Sequence, residues 1–540
     1  MPIHYVDNNA NTGTKPMTYP AKRPVRFFNT TGPCNPWDHY MLPPEERLVG
    51  AQLHRYIRDN LYWMLHAPRQ TGKTTFLQSW AREINAGDEA VACYVSVEEC
   101  QGIPDRNEAN LTIYKAICRF ADKAELPIPE LNDKSPEGLI SAVLTQWAKL
   151  VSPKQLIILF DEVDVLEGEA LISFLRQLRS GFADRSIGKF PTSIALVGMR
   201  DLRDYITISK DGIPVNPGSP FNIKEDSSLI KNFTKDSITR LFAQRTEETG
   251  QKITTEALDY IYDQTRGQPW LVNSLFKRAT MRVLEEDDYS TVTIAHIKEA
   301  REQMIQARET HLDALAVRLY DDRIRKIIES LMAGDADPTL SQTDAFRYCL
   351  DLGLVTIQDG PPEVANPIYR EVLARVSTAG AQDAISKPEW KWEKDDSTLD
   401  MDALLKEFQK FWRNNSEIWE QKMNYNEAFP HLLLQAFLQR VTNGGGRIDR
   451  EYAAGRGRMD LAVEYEQKKY IIEIKLIYDY SSPNTVRKDG LEQTAKYRDT
   501  IDSAAPAYLV IFDRRGESRK APWDERLSWD TENGITVVGC

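Results

Sequence analysis

Four apolar runs, each separated from the next by a helix-like stretch, shape the N-terminal half of the chain. They are NLYWMLHA (60–67), AVACYVSV (90–97), KQLIILFDEVD (154–164) and TSIALVGMR (192–200). Strands that alternate with helices along a sequence usually form a parallel sheet, because each helix returns the chain to the same edge. The pattern therefore predicts an α/β core at 31–224, after an N-terminal arm at 1–30 and before a purely helical segment at 225–305.

The second half of the chain divides into three further parts. Residues 306–376 follow the order helix, helix, two short strands, helix, which resembles a winged helix-turn-helix. Residues 377–400 have the Ala, Ser, Lys and Asp bias of a linker, and 401–540 are predicted to form a second α/β domain. A chain of 540 residues exceeds what one hydrophobic core organises, so several domains are expected.

The composition indicates where in the cell such a protein would work, but it does not indicate which reaction the protein catalyses. The six cysteines are scattered without metal-ligand spacing, and no apolar run approaches the ~20 residues of a membrane span. The polar N-terminus lacks the apolar stretch of a secretory signal. These features predict a cytoplasmic protein with no membrane partner. The net charge of −12 argues against a surface coated for nucleic acid but allows a local basic groove.

The first apolar run leads directly into a phosphate-binding sequence and then into an amphipathic helix. A phosphate chain needs inward-pointing backbone N–H groups, a helix N-terminus and a cation, which Gly72 and Lys73 supply. Thr74 adds a hydroxyl ligand for Mg²⁺. Ala67 stands where the first glycine of the usual motif is expected, and the alternative is a solvated turn that contains GKTT. The predicted loop is Ala67, Pro68, Arg69, Gln70, Thr71, Gly72, Lys73, Thr74 and Thr75.

A second signal comes from the third apolar run, which ends in acidic residues. Buried parallel strands deliver such residues to the edge where nucleotides bind in open α/β sheets. Asp161 is predicted to hold Mg²⁺ together with Thr74, and Glu162 to orient or deprotonate the attacking water. The alternative is a strand followed by an acidic helix cap. With both motifs present, the sequence predicts a nucleotide site.

The segments FFNTTGPCNPWDHYMLPPEERL, HAPRQTGKTT, LFDEVDVLEG, SIALVGMRDLRDY and GQPWLVN resemble, in that order, bacterial AAA-like ATPases related to the STAND and origin-recognition groups. The resemblance covers about 26–305 and implies ATP as the nucleotide. It implies that Arg200 senses the γ-phosphate, that the 35–45 loop lies near the adenine and that the GQPW turn closes a helical lid. The alternative for Arg200 is a surface ion pair with Asp201 or Asp204.

The stretch RMDLAVEYEQKKYIIEIKL (458–476) predicts a β-hairpin with charges inside an apolar strand. A turn at 466–469 would pair Tyr465 with Tyr470, and would set Asp460 opposite Lys475. Residues two apart share a sheet face, so Asp460, Glu473 and Lys475 are expected on one face. Asp460 and Glu473 would be diagonal neighbours about 7–8 Å apart, within reach of one cation.

Two carboxylates and a lysine around Mg²⁺ suit phosphodiester hydrolysis, because the metal polarises the phosphate and activates water. The D…ExK spacing in GRGRMD and IIEIK resembles the PD-(D/E)xK nuclease superfamily over about 425–515. The resemblance implies that Glu427 completes the metal shell and that Gln493 and Tyr497 lean over the site, with Mn²⁺ as an alternative metal. The alternative to a metal site is a plain cross-strand ion pair between an exposed Asp460 and Lys475.

Together these features predict an ATP-binding and ATP-hydrolysing module that controls a Mg²⁺-dependent nuclease, with DNA favoured over RNA as substrate. A role in bacterial defence against phage or foreign DNA is expected by analogy of fold alone. The alternatives are a nucleotide-gated regulator and a DNA remodeller whose C-terminal domain binds nucleic acid or a partner without cutting. A homo-oligomer and a partner protein or phage-derived trigger remain open.

Overall fold

The structure is a computed structural model, and it describes most of the chain apart from the N-terminal segment and several internal stretches. Within the described ranges no helix is both long and apolar enough to cross a lipid bilayer. The described residues are 26–49, 53–185, 188–199, 207–208, 214–215, 224–287, 289–307, 309–333, 340–357, 360–377, 398–422, 430, 433–435, 437–438, 446–454, 457–465 and 468–540.

The N-terminal sheet has five parallel strands and one short antiparallel edge strand. Its strands are β1 (Leu48–Val49), β2 (Tyr62–His66), β3 (Ala90–Ser96), β4 (Gln155–Asp161), β5 (Ser193–Gly198) and β8 (Lys224–Ile230), with β6 (Thr207–Ile208) and β7 (Pro214–Val215) in a separate ribbon. The spatial order is β1-β8-β2-β5-β4-β3, and only β1 runs antiparallel to its neighbour. The four apolar runs form β2, β3, β4 and β5, which confirms their prediction as parallel strands.

Helices cover both faces of this sheet because successive strand residues point to opposite sides. They are α1 (Leu53–Arg58), α2 (Lys73–Asn85), α3 (Arg106–Lys123), α4 (Leu139–Leu150) and α5 (Gly168–Asp184). Tyr62 and Met64 of β2 belong to the core cluster formed with α3, α4 and α5. Trp63 and Leu65 belong to the opposite cluster, with α1 and α2. Each central strand is therefore buried on both faces.

The prediction that residues 225–305 contain only helices is wrong at its beginning. Strand β8 pairs with β2 in parallel from Tyr62↔Lys224 to His66↔Leu229, and forms the fifth parallel strand. Its sequence, KEDSSLI, has few residues with β-propensity. The ladder to β2, rather than local preference, explains why this polar segment is a strand.

A four-helix lid follows the sheet. It consists of α6 (Lys235–Thr249), α7 (Thr255–Thr265), α8 (Pro269–Arg278), which continues as one π-helical turn, and α9 (Ile294–Gln306). Phe28 and Tyr40 from the chain's beginning are buried in the lid core against Phe242 and Phe276. The packed part of the chain therefore begins before residue 31, the predicted start of the α/β core.

Residues 310–377 have the element order of a winged helix. The elements are α10 (Thr310–Arg318), α11 (Asp322–Ala333), α12 (Asp344–Asp351), β9 (Val355–Thr356), β10 (Glu363–Val364) and α13 (Pro367–Ser377). Helix α10 ends at Arg318, and α11 begins at Asp322. Ile324, Phe346 and Ile368 share the hydrophobic cluster of the lid, so the two segments have a common core.

The C-terminal domain is a separate six-stranded sheet with helices on both faces. It contains α14 (Met401–Lys422), β11 (Gly446–Ala454), β12 (Gly457–Tyr465), β13 (Lys468–Ile477), α15 (Pro483–Ile501), β14 (Ala507–Asp513), α16 (Trp523–Arg526), β15 (Ser528–Glu532) and β16 (Ile535–Gly539). The order is β11-β12-β13-β14-β16-β15, with β13, β14 and β16 mutually parallel. Strand β13 therefore lies in the interior of the sheet. Strands β11, β14, β15 and β16 extend the sheet beyond the predicted hairpin, which forms β12 and β13.

Candidate functional sites

The loop between β2 and α2 is held closed by its own side chains. Lys73 Nζ donates to the carbonyls of Ala67 and Pro68 at 2.8 and 3.0 Å, and Thr71 Oγ1 donates to Pro68 O at 2.8 Å. Gly72 caps α2 with φ = 96°, a conformation that favours glycine. The loop thus wraps the N-terminus of α2, where an anion is stabilised.

Thr74 meets the acidic end of β4, as the two motifs predict. Its Oγ1 donates to Asp161 Oδ2 at 2.6 Å, and Tyr94 donates to the same oxygen at 3.3 Å. Asp161 is fully buried, and burial raises the pKa of its carboxyl despite the hydrogen bond from Thr74 and the charge of Lys73. A hydroxyl beside a buried carboxylate forms the oxygen pair that Mg²⁺ prefers.

Glu162 and Lys73 form the charged centre next to this pair. Burial, and then the charge of Asp161, raise the pKa of Glu162 to about 7, while Lys73 opposes the shift. Burial lowers the pKa of Lys73, and the carboxylates of Glu162 and Asp161 oppose that effect. Glu162 has φ = 59°, in the left-handed region, which is uncommon for a residue with a side chain. A carboxyl group with such a pKa suits a general base.

A cavity of about 470 Å³ extends from this loop to the lid. Gly72, Lys73 and Thr74 line its polar end, together with exposed Arg69 and Gln70. Its apolar wall contains Tyr40, Met41 and Leu42 of the 35–45 loop, the segment that the family resemblance places near the adenine. The GQPW turn, which the resemblance assigns to lid closure, contributes Pro269 and Trp270. The volume and the polar–apolar division suit a nucleoside phosphate.

Arg47 is a site residue that the sequence did not reveal. A Cβ at Gly72 would lie 2.7 Å from Arg47 Nη2, so the guanidinium occupies the space that glycine leaves open. Arg47 also donates to Lys231 O at 3.1 Å and lies over the Phe233 ring, and burial lowers its pKa to about 10. Among the described residues it has no carboxylate partner, so a phosphate would suit it. No spacing rule could select this arginine, because only the fold brings it to Gly72.

Thr75 and Arg200 are the two remaining residues that were predicted for the ATP site. Thr75 accepts a hydrogen bond from the Cys34 N–H at 3.0 Å, which ties the segment before the sheet to α2. Arg200, the predicted γ-phosphate sensor, lies outside the described residues, so its role stays a prediction.

In the C-terminal domain, Glu473 and Lys475 form an ion pair inside β13. Lys475 Nζ lies 2.8 Å from Glu473 Oε1, and the exposed fractions of the two side chains are 25% and 2%. Ile472 and Ile474 face α14, and Ile471 faces α15 with Ala462. Strand alternation therefore puts Glu473 and Lys475 on the α15 face. Lys475 packs close to Gly490, where a Cβ would lie 3.2 Å from its Cγ.

The predicted hairpin register is wrong by two residues. Tyr465 pairs with Lys468 and Leu461 with Ile472, so the strands extend closer to the turn than expected. Extending the ladder in this way adds backbone pairing at positions where lysine side chains can remain partly exposed. The same register continued by one residue sets Asp460 opposite Glu473 rather than diagonal to it. A register shift of two residues changes the cross-strand partner of Asp460 but not the sheet face on which it lies. Asp460 is therefore still expected on the same face as Glu473 and Lys475.

Of the other residues predicted for the nuclease site, the structure describes the side chains of Tyr497 and Gln493. Glu427 and the side chain of Asp460 lie outside what the structure describes. Tyr497 is buried beneath the sheet with Ala462 and Ile471, whereas Gln493 is exposed on the same helix. Among the described side chains no three His, Cys, Asp or Glu residues form a metal-sized group. The buried Glu473 carboxylate supplies one oxygen ligand of the kind that Mg²⁺ and Mn²⁺ prefer, and Asp460 is predicted to supply a second.

Comparisons with known proteins agree with the C-terminal assignment. Residues 425–511 match the model of a family described as PD-(D/E)XK nuclease superfamily. The C-terminal domain is therefore a PD-(D/E)XK domain. A comparison with curated proteins gives no match.

Several solved structures share parts of the N-terminal architecture. The Walker-type ATPase PABY2304 of Pyrococcus abyssi is 15% identical with a TM-score of 0.47, over 64% of this chain and 99% of its own. Cdc6p from Pyrobaculum aerophilum is 16% identical with a TM-score of 0.34, over 61% and 91%. The Thermotoga maritima RuvB Holliday junction branch migration motor is 15% identical with a TM-score of 0.32, over 59% and 90%.

Proposed function

We propose that this protein is an ATP-controlled, divalent-metal-dependent nuclease that cuts nucleic acid, with DNA favoured. The carrying observation is the buried carboxylate of Glu473, 2.8 Å from Lys475 Nζ within the PD-(D/E)XK domain. Burying an ion pair costs desolvation energy, and a plain hydrophobic pair would serve a sheet as well or better. A buried Glu–Lys pair in this domain is therefore best explained by chemistry.

At the nuclease site, Asp460 and Glu473 would hold Mg²⁺ or Mn²⁺. Such a metal, when bound, would polarise the scissile phosphate and make a water more acidic. Lys475 would place the attacking water or take its proton, since its ammonium lies beside the metal-binding carboxylate. Glu427, Gln493 and Tyr497 are proposed to complete the site, as the superfamily resemblance implies. The exposure of Gln493 suits contact with a nucleic-acid substrate better than contact with the metal.

At the N-terminal site, ATP would lie in the cavity with its phosphates at Gly72 and Lys73. Thr74 and Asp161 would hold Mg²⁺, which neutralises charge on the phosphates when bound. Glu162 would orient or deprotonate the attacking water, and Arg200 would sense the γ-phosphate. Arg47 adds a cation at the glycine turn, where it would neutralise phosphate charge.

The proposed control passes through the winged-helix segment, because this segment contacts the phosphate-binding loop directly. Gly353 has φ = 70°, and a Cβ there would lie 2.6 Å from Pro68 Cγ. A nucleotide that rearranges the loop would therefore disturb the contact with 310–377. The proposed units are the ATPase core through strand β8, the lid to 305, the winged helix to 376, a linker to 400 and the nuclease domain. Defence against phage or foreign DNA in the cytoplasm is the proposed setting.

Strand integrity tests this proposal. Purified protein is incubated with DNA and with RNA, with and without ATP and Mg²⁺, and compared with the Lys475→Ala variant. Divalent-dependent loss of intact strands by the parent, and none by the variant, is expected while ATP binding persists in both. Cutting by Lys475→Ala at the parental rate would refute the nuclease assignment. Binding without any cutting would instead support a regulator, and DNA-stimulated ATP turnover with intact strands would support a remodeller.

A further inference from the structure

The segment that precedes the sheet is fastened to lid helix α8 beside the cavity. Trp270 Nε1 donates to Thr30 O at 2.9 Å, and Lys277 Nζ donates to Thr30 Oγ1 at 3.1 Å. Asn273 Nδ2 donates to Asn29 O at 3.0 Å. These bonds set one wall of the cavity, and Asn273 is part of that wall.

The bond to Asn29 decides which way the Asn273 amide points. A backbone carbonyl only accepts, so the NH₂ group must face Asn29 and the oxygen must take the other position. That oxygen, Oδ1, is buried and has no hydrogen-bond partner among the described residues. The side chain as a whole is only 8% exposed. Buried polar atoms without a partner are rare in folded proteins, and in a cavity wall they indicate a ligand that supplies one.

The position of Asn273 along the cavity indicates which part of a nucleotide it would contact. Phosphates belong at the Gly72–Lys73 end, where the helix N-terminus and the cations lie. Pro269 and Trp270 precede Asn273 by one helical turn, so the three residues share a face of α8. All three residues line the cavity, as do the apolar residues Met41 and Leu42. An aromatic base suits this wall better than a phosphate or a sugar does.

We propose that Asn273 Oδ1 accepts a hydrogen bond from the 6-amino group of adenine and thereby selects adenine nucleotides. The proposal rests on the proposed nucleotide site and deepens it by naming the residue that reads the base. Guanine and hypoxanthine carry a carbonyl oxygen at position 6, which would face Oδ1 as a second acceptor. A purine with only hydrogen at this position would leave Oδ1 without a partner.

Ligand variants test the assignment in the unmodified full-length protein. Equilibrium binding is measured for ATP, purine riboside triphosphate, ITP and 2′-deoxy-ATP. Removing one hydrogen-bond donor should weaken purine riboside triphosphate about tenfold relative to ATP, and ITP at least as much. Deoxy-ATP should bind like ATP. Equal binding of ATP and purine riboside triphosphate would overturn the proposal, and so would a deficit confined to deoxy-ATP, which would assign Oδ1 to the ribose.

Variants of Asn273 distinguish the effect of its oxygen, Oδ1, from the effect of its hydrogen bond to Asn29. Asn273→Ala and Asn273→Asp both lose that bond, but only the aspartate keeps an oxygen at this position. Asn273→Ala should bind ATP and purine riboside triphosphate equally, whereas Asn273→Asp should keep the preference at lower overall affinity. Gln306→Ala, which removes an exposed lid amide bonded to Glu302, should leave the preference unchanged. A preference retained by Asn273→Ala would overturn the assignment.

The outcomes separate this inference from the proposed function. If ATP binds and position 6 makes no difference, only the role of Asn273 fails. If no nucleoside triphosphate binds the unmodified protein, the nucleotide site itself fails and the inference fails with it.

Discussion

Gln435 Nε2 donates to Glu371 Oε2 at 3.4 Å in a buried contact between the C-terminal domain and helix α13. Two residues before Glu371, the Tyr369 hydroxyl lies 2.6 Å from His311 Nε2. The His311 ring in turn lies 4.7 Å from the ring of Trp270, in the wall of the cavity. Helix α13 carries both Tyr369 and Glu371, so a series of contacts through this helix links the cavity wall to the C-terminal domain.

Removing the last contact in this series should uncouple cutting from nucleotide. Gln435→Leu should leave ATP affinity unchanged, because Gln435 is remote from the cavity wall. In the parent, ATP should change the cutting rate by the roughly 5–150-fold that is typical of coupling between two sites. In Gln435→Leu, the ratio of the cutting rates with and without ATP should fall to about one. The ratio is measured by strand cleavage at saturating and zero ATP.

A matched control distinguishes uncoupling from general damage to the domain. Gln409 also has a buried amide, but it donates to Ser528 O and Gly539 O within the C-terminal domain. Gln409→Leu should lower the stability of that domain and preserve the ATP dependence of cutting. If Gln435→Leu cuts with the parental dependence on ATP, the series does not carry the coupling.

The contribution of the Glu473–Lys475 ion pair to stability should be separable from its contribution to cutting. Lys475→Met leaves the buried Glu473 carboxylate without its ammonium neighbour, so the domain should lose about 2–3 kcal/mol of stability. Glu473→Gln combined with Lys475→Met removes the charge and should recover most of this loss. Neither protein should cut DNA. Denaturant unfolding and strand cleavage measure the two properties, and cleavage by the recovered double variant would exclude the catalytic role.

The glycine at the phosphate-binding turn should be needed for binding rather than for folding alone. In Gly72→Ala the new methyl would meet Arg47 Nη2 at 2.7 Å and displace the guanidinium, in a backbone with φ = 96°. The backbone strain costs about 1 kcal/mol, and ATP affinity should fall at least about tenfold.

Gly138 provides the comparison for Gly72. It also caps a helix in the left-handed region, with φ = 71°, but its Cβ would meet nothing within 4 Å. Gly138→Ala should show a similar loss of thermal stability with unchanged ATP affinity. Equal ATP affinities for the two variants would mean that the space at Gly72 is not required.

His311 should make the lid and winged-helix core sensitive to acid. Burial lowers its pKa to about 4, against about 6.5 in an unfolded chain. The unfolded state therefore binds a proton between these values that the folded state does not, and stability falls as pH falls through the window. At pH 5 the loss should reach about 2 kcal/mol relative to pH 7.

Thermal unfolding of His311→Gln at several pH values measures this contribution. The variant cannot take up the proton, so its melting temperature should depend less on pH between about 4 and 6.5 than that of the parent. His54→Gln, at an exposed position, should behave like the parent. Identical pH profiles for the parent and His311→Gln would show that this histidine is not the source.

Patterns that depend on near neighbours were already decided in the sequence. Apolar runs bounded by turn signals located β2 to β5, and the residues around Gly72 and Lys73 predicted a phosphate-binding turn. The placement of Glu473 and Lys475 on one face followed from the two-residue period of a strand. That placement does not depend on the hairpin register, because both residues lie in strand β13.

Relationships between distant segments were decided only by the tertiary structure. The polar segment Lys224–Ile230 is a strand because β2 pairs with it, and Tyr465 pairs with Lys468 because the two strands extend to a shorter turn. Arg47, just before β1, reaches Gly72 of the β2–α2 loop, and Asn273 of the lid reaches Asn29 in the segment that precedes the sheet. Periodicity and propensity are local properties of a chain, whereas ladders and cavity walls depend on contacts whose energy appears only once the fold has formed.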